Sequence, residues 1–160
     1  MNYKDICKKY NLKTLEGAEL QYSDLFGADL HSAHLEGADL RGANLSNANL
    51  KDADLTTANL LGANLTGADL TNADLAGANL TGVDLTDADL SGADLGGANL
   101  FCADLTGANL KGADLTGANL RYANFTHTNV TSVNWMNANF QDAYFQGADF
   151  SEVLRQDNEI

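Results

Sequence analysis

An all-β solenoid, winding coil upon coil about one axis, is the fold this sequence predicts, on three observations. Leu recurs at every fifth position from Leu15 to Leu120, and the frame continues through Phe125, Val130, Trp135, Phe140, Phe145 and Phe150. A small residue, nearly always Ala, stands two positions before each of these, as at Ala28, Ala33, Ala38, Ala43 and Ala48. Fourteen of the fifteen glycines fall two positions after the central apolar residue, and Gly96 alone departs.

A five-residue period excludes both ordinary elements. On an α-helix, five steps of about 100° carry successive Leu side chains around the cylinder, and on a straight strand an odd spacing sends them to alternate faces. What remains is a short extended piece that turns a corner once per repeat, so that every Leu and Ala points at a common axis. Glycine confined to one phase of the repeat marks that corner, where the backbone crowds or φ is unusual.

At 160 residues the chain is one domain. Its formal charge of −13 argues against direct nucleic-acid binding, which needs Lys and Arg to neutralise phosphates, and against an acidic membrane surface. The charge is uneven. Lys4, Lys8, Lys9 and Lys13 crowd the first thirteen residues, whereas nine Asp and no Lys or Arg lie between Asp52 and Leu110. The first residues hold no apolar run of signal-peptide type, no segment is apolar enough to span a bilayer, and a cytoplasmic location is expected. Cys7 and Cys102 stand far apart without CxxC spacing and read as free thiols.

The unit A(D/N)LxG, as in Ala103-Asp104-Leu105-Thr106-Gly107, closely resembles the pentapeptide-repeat family over about residues 15 to 150. The resemblance implies a right-handed quadrilateral β-helix with four pentapeptides per coil. About seven coils follow, roughly 33 Å long at a strand spacing of about 4.8 Å. In the family this chain resembles, near-perfect repeats are common, notably in cyanobacteria.

Solenoid ends must be covered, because open edges invite pairing with other chains. Residues 1–14 are expected to form an N-terminal cap. Tyr3, Ile6, Cys7 and Tyr10 recur at helical spacing, Asn2 suits an N-cap with Asp5 three residues on, and Asn11 suits a stop. Residues 15–150 form the solenoid. Residues 151–160 are expected to form a C-terminal cap or tail, and Phe145, Phe150, Val153 and Leu154 mark a candidate oligomer end, since the resemblance implies that the family's DNA-mimicking members join two solenoids through such an end.

With twenty residues per coil, positions twenty apart stack in columns. One column holds His34, Asp54, Asp74, Asp94 and Asp114, and another holds Thr66, Thr86, Thr106 and Thr126. The Thr column resembles an ice-binding ladder but has no parallel partner column, so turn-compatible Thr explains it. A third column runs Arg41, Leu61, Thr81, Phe101, Arg121, where Leu61 and Phe101 interrupt a polar exterior. The candidate interaction surface is therefore Asp54, Asp74, Asp94 and Asp114 with Leu61 and Phe101.

No catalytic constellation is present in the sequence, and neither cofactor nor metal set is implied. His31 and His34 have HxxH spacing without an accompanying metal set, no Ser or Cys has a recognisable base, and no GK[ST] phosphate loop accompanies the glycines. The expected function is a non-enzymatic interaction or scaffold protein with a rigid acidic surface, its protein partner unnamed by the sequence. A DNA mimic that binds a topoisomerase such as gyrase is the alternative the resemblance implies, and a structural or stress-related solenoid is the third. Between residues 14 and 154, nineteen acidic and four basic side chains give a linear charge density near that of duplex DNA, about one charge per 1.7 Å. The resistance-conferring family members commonly carry loop insertions, and this register has none.

Overall fold

Each pentapeptide pairs one residue with the coils on either side and then turns a corner. The computed structural model describes residues 1–150; Val153, Leu154 and the rest of the tail lie outside the described residues. The paired residue is the one before the central Leu. Asp54, for example, forms parallel bridges with both His34 and Asp74. Asp39 shows the bonding, since its amide donates to the Ala18 carbonyl at 2.9 Å and its carbonyl accepts from Leu20 at 2.8 Å. The corner closes when the next small residue donates back across the turn, as Ala58 does to the Leu55 carbonyl at 3.0 Å. The residue two after Leu bonds to the next coil, as Gly62 does to the Thr81 carbonyl at 2.9 Å.

These bonds stack the pentapeptides into a four-sided β-helix of twenty residues per coil. The paired positions are single residues between turns, and no longer strand occurs among the described residues. The corner residue is left-handed in every repeat from Gly17 to Gly147, whether or not it is glycine. Gly62 has φ +63, Asn47 φ +56 and the β-branched Thr57 φ +54, so the coil imposes the conformation and glycine meets it without strain. Gly96, out of phase, is not left-handed.

The core is one-dimensional. Every central Leu from Leu15 to Leu120 is buried, with the small residues between them. Thr128, at an Ala position, is accommodated because its hydroxyl donates to the Leu105 carbonyl at 2.7 Å.

The N-terminal edge is covered by α1, Tyr3–Lys9. Asn2 caps it in a capping box, accepting from the Asp5 amide at 3.1 Å while its own amide donates to Asp5 Oδ2 at 3.2 Å. Lys8 and Lys9 lie in the last turn, where cations suit the helix dipole, and Asn11 ends it at φ +55. Ile6 is buried in the solenoid core, and Asn2 pairs in parallel with Asp29, so the preceding segment occupies part of the open edge.

Toward the other end the core residues enlarge. Phe125 is fully buried and stacks on Phe145 one coil later, centroids 4.8 Å apart and planes 8° from parallel. Trp135 and Phe140 meet Phe145 edge-on at 6.3 Å each. No helix among the described residues is long and apolar enough to cross a membrane.

Candidate interaction surface

Four of the five amides in each repeat of the inner coils are accounted for by the coil, as in residues 53–57, and the fifth explains the outward Asp and Asn. The amide following the central Leu bonds to the side-chain Oδ1 of the residue preceding that Leu. Thr56 donates to Asp54 at 3.0 Å, Ala76 to Asp74 at 3.0 Å, Gly96 to Asp94 at 2.8 Å and Thr116 to Asp114 at 2.8 Å. Asn serves equally, as with Thr66 to Asn64 at 2.9 Å. This is Asx-turn chemistry, in which a short side chain accepts from an amide two residues on. The signal was present in the sequence as the near-constant Asp or Asn at that phase, and display to solvent was the only role read from it.

The turn is therefore satisfied equally by Asp or Asn, although it also closes at His34, where neither stands. The coil-to-coil step does distinguish them. An Asn amide can donate to the Oδ1 of the same position one coil earlier, as in Asn79 to Asn59 at 3.0 Å, Asn119 to Asn99 at 2.8 Å, Asn109 to Asp89 at 3.0 Å and Asn49 to Asp29 at 3.1 Å. A carboxylate has no proton to give and repels the carboxylate beneath it. The other three columns contain such Asn relays. The column Asp54, Asp74, Asp94, Asp114 is bridged coil to coil in the expected register and has none across four coils.

Local donors lower the pKa of two of them, Asp54 and Asp114. The Thr116 hydroxyl, with its amide and the Asn134 side chain, lowers the pKa of Asp114. Burial opposes ionisation of Asp54, and the Thr56 amide and hydroxyl outweigh it. The Thr column spends hydroxyls in the same way, Thr106 donating to Asp104 at 2.6 Å and Thr126 to Asn124 at 2.6 Å, consistent with turn chemistry there.

Asp39 is the most depressed, to about 2, chiefly because the Arg41 guanidinium bonds its carboxylate, with an Nη2 contact of 2.6 Å. A folded pKa below the unfolded one contributes stability above the unfolded value, and that contribution is lost as pH falls through the folded value. The expected result is a stability difference between wild type and Arg41→Gln that is constant above about pH 4 and vanishes near pH 2. Denaturant titrations at stepped pH measure it, and a difference unchanged at pH 2 would contradict the assignment.

Leu61 is 42% exposed, but Phe101 is half-buried. They occupy one column with Thr81 between them, two coils apart, so they do not form a continuous apolar patch. Phe101 instead meets the Tyr122 ring edge-on at 5.6 Å, and the Arg121 guanidinium lies 5.4 Å from that ring. Tyr122 and Arg121 thus belong with Phe101, a cluster that follows from packing between neighbouring columns.

Trp135, Phe140, Phe145 and Phe150 line an open apolar recess of about 300 Å³ at the C-terminal end. Phe140 is 50% exposed, and Phe150 lies 5.6 Å from Phe145. Val153 and Leu154, the other two residues of the candidate oligomer end, lie outside the described residues.

His31 and His34 have separate partners. His31 Nδ1 lies 2.9 Å from the Lys51 carbonyl, whereas His34 Nδ1 lies 3.2 Å from Glu36 Oε1. The coil also brings Asp54 to His34 and Glu36, a grouping with a separation of twenty that HxxH spacing did not indicate.

A solenoid of twenty-residue coils, closed by Asx turns and filled by Leu and Ala, defines a non-globular repeat protein. The pentapeptide-repeat family model matches residues 23–62, 63–100, 98–134 and 118–154, and the chain belongs to that family. Its fold is accordingly the right-handed quadrilateral β-helix. QnrB1, a plasmid-mediated fluoroquinolone resistance protein, superimposes with a TM-score of 0.80 at 20% identity, over 86% of this chain and 70% of that one. HetL, involved in heterocyst differentiation regulation in the cyanobacterium Nostoc sp. strain PCC 7120, is 34% identical over 83% of this chain and 72% of its own, with a TM-score of 0.43. Rfr23 from the cyanobacterium Cyanothece 51142 is 30% identical over 86% and 88%, with a TM-score of 0.39. No curated protein matches the chain at a significant level.

Proposed function

We propose that the chain is a cytoplasmic, non-enzymatic interaction or scaffold protein whose face bearing Asp54, Asp74, Asp94 and Asp114 binds a basic surface on a protein partner. The observation that supports this reading is the unrelieved carboxylate row. Asn at each position would keep the turn and add a bond between coils, as the other columns do. Four consecutive carboxylates forgo that bond and add repulsion, a cost that an incoming cationic surface offsets.

The test replaces all four Asp by Asn and compares this variant with one carrying the same charge change elsewhere, Asp69, Asp84, Asp89 and Asp104 to Asn. Partners cross-linked in the native cell are quantified for each. Loss confined to the first variant supports the reading. Equal loss in both would mean that only bulk charge matters, and would overturn it.

A second copy of this chain is the other partner proposed, at the recess of Trp135, Phe140, Phe145 and Phe150. End-to-end pairing would bury exposed aromatic surface and double the length of the acidic rod, the geometry a DNA mimic would need. Sedimentation velocity is expected to give a dimer that Phe140→Lys splits into monomers. A monomeric wild type would remove this reading and leave the first intact.

A further inference from the structure

We propose that His34, Glu36 and Asp54 form a binding site for a divalent first-row transition cation, zinc foremost. Each residue presents one ligand atom, and these atoms all lie within 4.8 Å of one another. His34 Nδ1 and Glu36 Oε1 are 3.2 Å apart. Two ligands held at about 2.0–2.1 Å on a tetrahedral zinc ion lie roughly 3.3 Å from each other, so that pair already has the separation of a shared ion.

The carboxylates supply the second argument. Glu36 Oε2 is shut off from water and has no hydrogen-bond partner, although the side chain as a whole is 32% exposed. The ligand oxygens of Glu36 and Asp54 lie within 4.8 Å of each other and of the His34 nitrogen, close enough to share one ion. A cation among them would offset the repulsion of the two carboxylates, and an imidazole nitrogen on the same spot favours one that takes mixed nitrogen and oxygen ligands. Asp54 Oδ1 is committed to the Thr56 amide at 3.0 Å and hydroxyl at 2.8 Å, which orients the carboxylate and leaves Oδ2 as the ligand. An open recess of about 250 Å³ beside α1, bounded by Tyr3, Thr14, His31, Ser32 and His34, gives water access to complete the coordination.

Three protein ligands and open positions are an arrangement that zinc and cobalt accept, whereas calcium and magnesium prefer all-oxygen sites. The full chain, stripped with chelator, is titrated with Co²⁺ followed by its visible absorption, and with Zn²⁺ followed by calorimetry. One equivalent is expected to bind, without the thiolate charge-transfer band that coordination by Cys7 or Cys102 would produce. His34→Ala and Glu36→Gln are each expected to weaken binding about tenfold or more, while Asp94→Asn leaves it unchanged. His34 is largely exposed, so these variants retain the fold, which circular dichroism verifies. Absence of binding would overturn the proposal, as would equal affinity in all variants or equal competition by Ca²⁺.

Discussion

Leu75→Asp is expected to break the rod at its middle. Leu75 is 1% exposed and stacks between Leu55 and Leu95, both fully buried, while its amide bonds to the Asp94 carbonyl at 2.7 Å. Truncation to Ala alone should cost about 2–5 kcal/mol, from lost transfer free energy and the cavity left in a core that cannot collapse sideways. Aspartate adds the desolvation of a carboxylate with no counter-charge among Leu and Ala, so its effect exceeds that of Ala. Because coils contact only their neighbours, the damage should be local before it is global. Guanidinium denaturation should show a large drop in midpoint, and hydrogen exchange should show lost protection first in the coils holding residues 55 to 95. An unchanged midpoint would contradict the stacked-core account.

The four-fold Asn variant of the acidic row, offered above as a test of binding, is expected to gain stability. The turn acceptor at each position is preserved, three new amide-to-Oδ1 bonds become possible, and three carboxylate pairs are neutralised. Unit charges about 4.8 Å apart in water repel by roughly 0.9 kcal/mol, and a net hydrogen bond contributes about 0.5–1.5 kcal/mol. Against this stands the loss of charge-assisted turn bonds, evident in the lowered pKa values of Asp54 and Asp114. The balance is a gain of about 1 kcal/mol per coil-to-coil step at low salt, shrinking as salt screens the repulsion. A variant more stable yet unable to bind would separate the function of the row from its structural role. A variant no more stable would mean that the carboxylates are already relieved by solvent and ions, and the argument from cost would fail.

The central Leu, the Ala before it and the glycine-marked corner were legible in the sequence because each recurs at one phase of a fixed period. Any backbone that keeps a five-residue repeat about an axis must treat those phases alike. The α1 cap was legible for a similarly local reason, since Asn2 and Asp5 are three residues apart and bond within one turn. The columns too followed from the repeat once twenty residues were assigned to a coil, and Asp54, Asp74, Asp94 and Asp114 stand where that count puts them.

Other features depended on where side chains go, which periodicity does not specify. Oδ1 of each outward Asp or Asn turns back to an amide of its own repeat, so a residue read as display is also part of the scaffold. Phe101 is half-covered because Tyr122, in the adjoining column and one coil on, leans its ring against it. His34, Glu36 and Asp54 converge because a neighbour two residues away and another twenty away meet on one corner. The sequence by itself determined the solenoid, its inward residues and its net charge, all properties of a repeating backbone and of composition. Only the tertiary structure decided which polar atoms are used up by the coil and which remain available, because that depends on rotamers and on contacts between coils.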